Sequence, residues 1–483
     1  MNSVVNEKNS KSKYIEKTRQ AIAKAEQFCC SHAFIFIVVG IAFVFHALAL
    51  DLLGIMLFGL SAAVGFLVFK DCRPSLTVTA TAIFIVSTKN SPGYTAGENY
   101  YANPEIYIPI IITVCILVVA MAIRCIINRQ NYKKARLYIP MAILLVTLTL
   151  SGIGQIYYDE SFAFGLLMGV SYAGFYLLFV GVINKFDGIM DYISTLLSAL
   201  CLLIAVQVLY LYVVHIAKGG DFDGYWKGQI ILGWGVSNIV GEMMVFFMPF
   251  VMYRIEKSKK YYNFYHCVAL FAMTMLVLTL NRTGMLFGFP IFAVLWIKAI
   301  ISIKNKQKIF LTAVIYGSIG LIVLVAASSL TEFSTLFVYF TDMFNTSGGI
   351  KLSARDKLWA QAIEFFKKSP IVGAGFAKSF HYPLVPSHAT FFQTLYHNFI
   401  FQAIASGGIM GILAMLYFGY KAARVFLSKY EGKFHMVCFA ILFVCVALFD
   451  TVYFITYSVL FFILILVVVE KQSNERVKKN EKS

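Results

Sequence analysis

The chain has 483 residues, of which 59% are hydrophobic and only 13% are charged. A soluble domain is about 45 to 50% apolar, so this composition excludes a water-soluble enzyme of several domains. The net charge of +17 would suit nucleic-acid binding only if the basic residues shared one soluble face. They stand instead in short stretches between apolar runs, so we expect a lipid bilayer and no nucleic acid as the partner.

The apolar runs predict an all-α, polytopic helical membrane protein. At about 20 residues a span they give fourteen candidate helices. A total of twelve or thirteen helices also stays open, because the third run is short and only Asp450 divides the last two runs. The runs lie near 32–50, 52–70, 75–88, 104–124, 137–157, 161–183, 192–216, 229–252, 264–281, 284–303, 309–329, 396–420, 434–449 and 451–469.

These runs divide the chain into five parts. Residues 1–31 are polar and are predicted to form a retained cytoplasmic tail, since they are too long for the n-region of a signal peptide and no small-residue cleavage site follows. Helices 1 to 11 follow within 32–329, and a long extracytoplasmic loop occupies 330–395. Helices 12 to 14 lie within 396–469, and 470–483 form a cytoplasmic tail.

The positions of Lys and Arg predict the orientation. With a cytoplasmic N-terminus, about three quarters of the 41 Lys and Arg fall in inside segments, as the positive-inside rule requires. Most of the others lie in the long loop, and long translocated segments are largely exempt from that rule. We therefore expect both termini in the cytoplasm and the loop outside. None of the nine cysteines lies in an outer loop, so no disulfide framework is predicted.

The long loop contains an amphipathic segment that predicts a helix from Ser353 to Lys368. Ser353 and Asp356 form a start similar to a capping box, Arg355 falls in the first turn, and Pro370 ends the helix. Such a helix would lie on the outer membrane surface, and a simple surface anchor is an equal alternative. Its predicted apolar face consists of Leu358, Trp359, Ala362, Ile363, Phe365 and Phe366.

The residues that follow this helix offer two weaker signals. Gly373 and Gly375 permit a tight turn or a close approach to a ligand, although two glycines without a flanking strand and helix are weak grounds for a phosphate loop. His381, His388 and His397 come next. Their spacings do not place ligands on one helix face, so we expect no metal ion.

Three groups fall on the same predicted membrane face: Arg282, Arg355 and His397. Arginine offers fixed bidentate donors to phosphate oxygens, and histidine takes a proton near neutral pH. Arg282 alone is equally well explained as an anchor at the membrane boundary. Together the three residues suit transfer from a phosphate-linked donor to a hydroxyl, and they are the candidate catalytic residues.

Other charged residues support this site less specifically. Lys351 and Lys357 either attract an anionic donor or are solvated loop charges. Asp450 either orients His397, contacts an acceptor sugar or only occupies a hairpin turn.

Glu242 is predicted to lie inside the eighth span, one turn after Asn238 on the same helix face. A carboxylate in the middle of a membrane is a functional candidate, but it also fits a protonated group between helices. Asp159–Glu160 and Asp221–Asp223 look like metal-binding pairs, yet short acidic runs are common in solvated loops.

Several of these residues fall within a known pattern. His397 and Asn398, nine intervening residues, then Gly408 and Gly411 resemble the motif of the O-antigen ligase and polymerase superfamily of bacterial membrane glycosyltransferases. The run Asn281–Gly284 resembles the helix break of that family, with Asn where Ser is more usual. The loop helix and the run Gly233–Asn238 also look similar, so that the resemblance covers residues 230–420.

The resemblance implies a membrane-embedded (GT-C type), inverting glycosyltransferase that needs neither metal nor cofactor. It implies a polyprenyl-pyrophosphate-linked glycan as donor, an acceptor glycan or lipid, a chain-length regulator protein as a further partner, and the bacterial cytoplasmic membrane as location. His397 would be the general base, and Arg282 and Arg355 would bind the pyrophosphate on the outer face. The expected substrate-binding residues are Asn398, Lys351, Lys357, Gly373, Gly375 and Asp450.

The acceptor stays open, because polymerases of capsular or exopolysaccharide repeat units, ligases to a lipid core and protein glycosylating enzymes share this motif. The excess of 31 Lys over 10 Arg favours a bacterium without an outer membrane, and so a polymerase. A transporter of lipid-linked sugars is the rival class, but it would show internal repeats and paired broken helices. A scaffold would not need these three residues on one face.

Overall fold

The computed structural model describes residues 2–88, 103–155, 158–183, 188–220, 222, 226–303, 307, 310–317, 355–376 and 396–480. Within these ranges the secondary structure is helical, with short 3-10 turns and one isolated β-bridge between Ile231 and Val236. The predicted all-α class is confirmed.

Sixteen α-helices with defined bounds lie in the described ranges, besides the helical residues 307 and 310–317. The first eight are α1 (Asn2–Cys29), α2 (His32–Ala47), α3 (Asp51–Val68), α4 (Arg73–Ala82), α5 (Pro104–Ile127), α6 (Tyr138–Leu150), α7 (Tyr158–Val182) and α8 (Ile189–Ala217). The next eight are α9 (Trp226–Gln229), α10 (Ser237–Lys257), α11 (Tyr262–Leu278), α12 (Arg282–Ser302), α13 (Arg355–Lys368), α14 (Phe399–Phe426), α15 (Lys433–Ala447) and α16 (Thr456–Asn480).

Most of these helices coincide with predicted spans. Eight are long and apolar enough to cross a membrane, and α1 with α2 gives a ninth if the pair, bent by 74°, counts as one span. Three shorter apolar helices, α6, α11 and α15, complete the multi-pass bundle. Of the eleventh predicted span, 309–329, only residues 310–317 are described, and they are helical.

Burial distinguishes inner helices from lipid-facing ones. In the apolar part of α10, 89% of the residues are buried, and in that of α16, 78% are buried. In α5 and α12 the buried share is only 28%, and these helices expose side chains such as Ile112, Val119 and Ile297. A helix that is apolar all round but half exposed faces lipid. The site described below is built around one end of α10.

Ion pairs fasten the other end of α10. Glu256 accepts hydrogen bonds from Lys298 Nζ at 2.7 Å and pairs with His435 Nε2 at 3.0 Å, which joins α10 to α12 and α15. Arg254 pairs with Asp191 of α8. Because an unpaired charge is costly inside a membrane, these contacts fix α10 relative to its neighbours.

The eighth span begins later than the sequence predicts. Residues 230–236 are not helical, and α10 starts at Ser237 instead of near 229. Gly233 has φ +82°, and a Cβ there would stand 2.5 Å from the carbonyl carbon of Ser87. This close backbone approach ends the helical geometry. Glu242 therefore lies inside α10, as the sequence predicts, but already in its second turn.

Helix α14 is broken at Gly408, which has φ 59° and ψ −149°. The chain that follows α13 lies against this break. Ile409 N donates to Pro370 O at 2.8 Å, and Met410 N donates to Ile371 O at 3.2 Å. The two amides freed by the break thus bond another segment, as burial in a membrane demands. A Cβ at Gly408 would stand 2.6 Å from both carbonyl oxygens.

The predicted loop helix exists as α13, and it packs on α14 instead of resting on the bilayer alone. Trp359 Nε1 donates to Tyr396 O at 3.0 Å, and its ring stacks on Phe401 with centroids 5.1 Å apart. Ala362 and Phe365 are buried, whereas Ile363, predicted to share the apolar face, is 42% exposed. Helix α13 is therefore a fixed part of the bundle end.

We expect Gly408→Ala to destabilise the protein, because the new Cβ would meet two carbonyl oxygens at a positive φ. Strain of this kind costs on the order of 1 to 3 kcal/mol. Gly419→Ala is the matched control in the same helix, where an added Cβ meets no atom within 4 Å. Thermal unfolding in detergent measures both. Equal melting temperatures for the two variants would contradict this account of the break.

Candidate functional site

His397 occupies a constrained position immediately before α14. Its backbone has φ 48°, a region that residues other than glycine rarely adopt. Asn398 caps the helix, since its Oδ1 accepts from Ile400 N at 2.8 Å and from Phe401 N at 3.2 Å. Its Nδ2 donates to Leu448 O at 2.8 Å. These bonds occupy the side chain of Asn398 and hold His397 in place. The predicted role of Asn398 in substrate binding stays a prediction.

The imidazole of His397 pairs with Asp450. Nδ1 lies 3.1 Å from Oδ1 of Asp450. The carboxyl side chain is only 5% exposed, whereas the imidazole is 38% exposed. A neutral ring that donates Nδ1–H to the carboxylate carries its lone pair on Nε2. Nε2 has no hydrogen-bond partner among the described residues, so it is available to a substrate.

Asp450 is held as an anion by several donors. Besides its contact with His397, Asp450 accepts two further hydrogen bonds. Oδ1 accepts one from Thr451 N at 2.8 Å, and Oδ2 accepts one from Asn238 Nδ2 at 3.1 Å. Burial by itself raises the pKa of this carboxyl, but the hydrogen bond and charge of His397 and the further hydrogen bonds outweigh it. The resulting pKa lies below the ordinary value. Asp450 is therefore ionised at neutral pH.

Arg282 is positioned by a second helix break. Asn281 caps α12 by accepting Gly284 N at 3.0 Å, and its Nδ2 donates to Asn238 O at 2.5 Å. Leu280, just before it, has φ 54°. Asn281 thus performs the capping role of the more usual Ser. Since Asn238 also bonds Asp450, Arg282 is brought to the same corner as the histidine pair.

A third cation, Lys227, joins the two predicted arginines. It lies on the short helix α9, which is anchored by Trp226: Nε1 donates to Tyr212 OH at 2.9 Å, and that hydroxyl donates to Leu278 O at 2.6 Å. Burial lowers the pKa of Lys227, and the positive charge of Arg282 lowers it further. The negative charge of Asp450 acts in the opposite direction, and the positive charge of Arg355, at the start of α13, lowers the pKa again.

In the described part of the chain, these three cations form no salt bridge and no side-chain hydrogen bond. Like charges gathered without salt-bridge partners repel one another, and an anionic ligand relieves that repulsion. The corner therefore combines an anion-binding group with a histidine whose free nitrogen can accept a proton.

The remaining predicted site residues are placed differently. Lys357 is exposed on α13, and Lys351 lies outside the described residues. Gly373 N donates to Ser369 O and Gly375 N donates to Ser406 O, both at 3.0 Å.

Backbone packing explains why residues 373 and 375 are glycines. A Cβ at either residue would meet a neighbouring atom at 2.4 Å or less. Their amides are already bonded, so these contacts give the predicted substrate-binding role no support.

Two residues of this corner were harder to recognise from the sequence. Lys227 was missed, because one lysine in a loop beside acidic residues resembles a solvated charge. Asp450 was predicted only as one of three alternatives, and the structure selects the contact with His397. The acidic residues Asp221 and Asp223 and the predicted histidines 381 and 388 lie outside the described residues. In the described part, no three His, Cys, Asp or Glu side chains gather in a way that suits a metal ion.

The fold and this corner define a multi-pass membrane protein with a cationic site beside a histidine–aspartate pair. The sequence model of the family described as O-antigen ligase matches residues 267–416, and this match confirms the resemblance found from the motifs. The match includes Arg282, Arg355 and His397, but not Lys227 or Asp450. No curated protein matches the chain.

We expect Arg282→Gln to raise the pKa of Lys227, because it removes a neighbouring positive charge. The pH dependence of acylation of Lys227 by an amine-reactive reagent, followed by mass spectrometry, measures this shift. Arg424→Gln, near the other end of α14, is the control and should leave the midpoint unchanged. If Arg282→Gln leaves the midpoint where it is in the wild type, the two cations are not neighbours as described.

Proposed function

We propose that the protein is a glycosyltransferase that moves a glycan from a polyprenyl-pyrophosphate donor to an acceptor hydroxyl. The observation that carries this proposal is the pairing of His397 with Asp450 beside three cations that form no salt bridge in the described part of the chain. The family match supports the glycosyltransferase class and lipid-linked glycans as substrates. Neither feature alone is specific, since histidine pairs serve many reactions and cationic clusters bind many anions.

In the proposed reaction, the acceptor hydroxyl attacks the anomeric carbon of the donor sugar. Nε2 of His397 takes the hydroxyl proton as the new carbon–oxygen bond forms, and Asp450 stabilises the resulting imidazolium. The bond between the anomeric carbon and the pyrophosphate oxygen breaks, and the electron pair leaves with the pyrophosphate. A single displacement of this kind inverts the configuration at that carbon.

The cations would act on the leaving group. Charge grows on the bridging oxygen as the bond breaks, and preorganised donors stabilise charge that develops in the transition state. Lys227, Arg282 and Arg355 supply three positive charges at this corner. We propose that they take the place of a divalent metal. Removing one donor of this kind typically costs about 10² to 10³ in rate.

An apolar groove gives the lipid part of the donor a place. It encloses about 510 Å³ between α14, α15 and α16. One end is lined by Phe399 and Tyr453, close in sequence to Asn398 and Asp450, and the groove continues to Phe426 at the other end of α14. A continuous apolar path from the site through the depth of the bundle suits a long isoprenoid chain in a bilayer.

We further propose that the site lies on the outer face of a bacterial cytoplasmic membrane, with both termini inside, as the distribution of Lys and Arg predicts. The acceptor that we favour is another lipid-linked repeat unit, which makes the enzyme a polysaccharide polymerase with a chain-length regulator as partner. Transfer to a lipid core or to a protein would use the same corner. The described helices show one site at one end, which favours an enzyme over a transporter of lipid-linked sugars.

The base is tested with His397→Gln and Asp450→Asn in purified protein supplied with a polyprenyl-pyrophosphate glycan. We expect His397→Gln to lose about 10² to 10⁴ in rate, the usual contribution of a positioned base. Asp450→Asn should lose a similar amount, because the neutral amide no longer fixes the tautomer. Chain extension measured by gel or mass spectrometry gives both values.

The control is His32→Gln, which changes a half-exposed histidine at the start of α2. It should retain the wild-type rate. Undiminished extension by His397→Gln would remove the histidine from the mechanism, whatever the result for the carboxylate.

A further inference from the structure

A second buried carboxyl group, that of Glu242, lies beside Asp450. Glu242 is on α10 one turn after Asn238, whose amide bonds Asp450 Oδ2 at 3.1 Å, so both face the same corner. Its side chain is fully buried. Asp450 acts electrostatically on Glu242, and two carboxyl groups side by side can form a hydrogen bond only if one of them carries the proton.

The surrounding donors decide which carboxyl holds that proton. Asp450 accepts from His397, Thr451 and Asn238, and three donors stabilise an anion. Neither carboxyl oxygen of Glu242 has an N–H or O–H donor among the described residues. An ionised carboxylate buried without donors is far more costly than a neutral acid. The proton therefore belongs on Glu242.

We propose that Glu242 is a neutral carboxylic acid that donates its proton to a hydrogen bond with Asp450, and so acts as a positioning residue for the His397–Asp450 pair. The inference rests on the proposed function for its kinetic consequences, but not for the protonation state. The charged or titratable groups that face Glu242 are Lys227 of α9, Arg355 of α13, Asp450 itself and Tyr457 of α16.

Such a bond would adjust the general base without touching the substrate. It draws negative charge away from the carboxylate that faces His397 and prevents a second anion from forming beside it. When the donor is lost, the full charge of Asp450 acts on the imidazole and favours its protonated form. A protonated His397 cannot take the proton of the acceptor hydroxyl, so activity should fall first on the acid side of the pH profile.

The kinetic test compares Glu242→Gln with Glu242→Ala. The amide of Gln is neutral and still donates to Asp450, so we expect kcat/KM within about threefold of wild type and an unchanged acid limb. Ala removes the donor, so we expect a loss of about 10- to 100-fold and an acid limb moved to higher pH. In an Asp450→Asn background, Glu242→Ala should cost little more, because the two residues act through one bond.

Two outcomes would overturn the proposal. If Gln is as impaired as Ala while both retain the wild-type melting temperature, Glu242 acts as a carboxylate. If Ala keeps the wild-type rate and pH profile, Glu242 has no positioning role.

A spectroscopic test does not depend on any enzymatic activity. Infrared spectra of the full chain in lipid at neutral pH should show a protonated carboxylic-acid C=O band. Because the buried Glu470 can contribute to the same band, Glu242→Gln should remove one component of it. Glu256→Gln should leave the whole band in place, because Glu256 is bonded to Lys298 and His435. If Glu242→Gln leaves the band unchanged, the inference fails even where transfer is observed. If the component is lost but the wild type shows no transfer, the proposed function fails alone.

Discussion

Backbone groups that leave a helix inside a bilayer need a partner, and this requirement shapes the whole site. Three side chains at helix ends around the site satisfy backbone groups in this way. Asn281 joins the start of α12 to α10, Asn398 joins the start of α14 to the end of α15, and Asp450 binds the turn that follows it. Because side chains at these breaks are fixed by the bonds that the membrane demands, the cations and the histidine are preorganised without a soluble domain.

The glycines of the family motif serve the same requirement. Gly408 lets α14 break so that the carbonyls of Pro370 and Ile371 reach its free amides. That contact, with Trp359 bonded to Tyr396, fixes α13 and therefore Arg355 at its first turn. Gly408, which belongs to the same motif as His397, thus helps to fix Arg355, which lies more than forty residues before His397 in the chain. Packing and catalysis share these residues, and this is why variants need stability controls.

Periodicity and composition were sufficient to predict the helices, because every span needs a long apolar run. They also placed Arg282, Arg355 and His397 together, since Arg282 and His397 stand at span boundaries and Arg355 lies in the loop on the same predicted face. They did not predict where α10 begins: residues 230–236 are apolar enough to span, and only the approach of Gly233 to Ser87 ends the helix there. The partner of His397 was left open, because Asp450 follows it by more than fifty residues and only tertiary structure brings the two within 3.1 Å. Lys227 was missed for the same reason.

The central claim is that this corner forms a glycosidic bond and releases a pyrophosphate lipid, with its own cations in place of a metal ion. The most direct measurement supplies purified protein in liposomes with a doubly labelled polyprenyl-pyrophosphate glycan and a chelator. It counts glycosidic bonds formed and pyrophosphate lipid released. We expect one lipid pyrophosphate released for each bond, at a rate that the chelator does not change. Movement of labelled lipid across the membrane without bond formation, or a strict need for a divalent metal, would contradict the account.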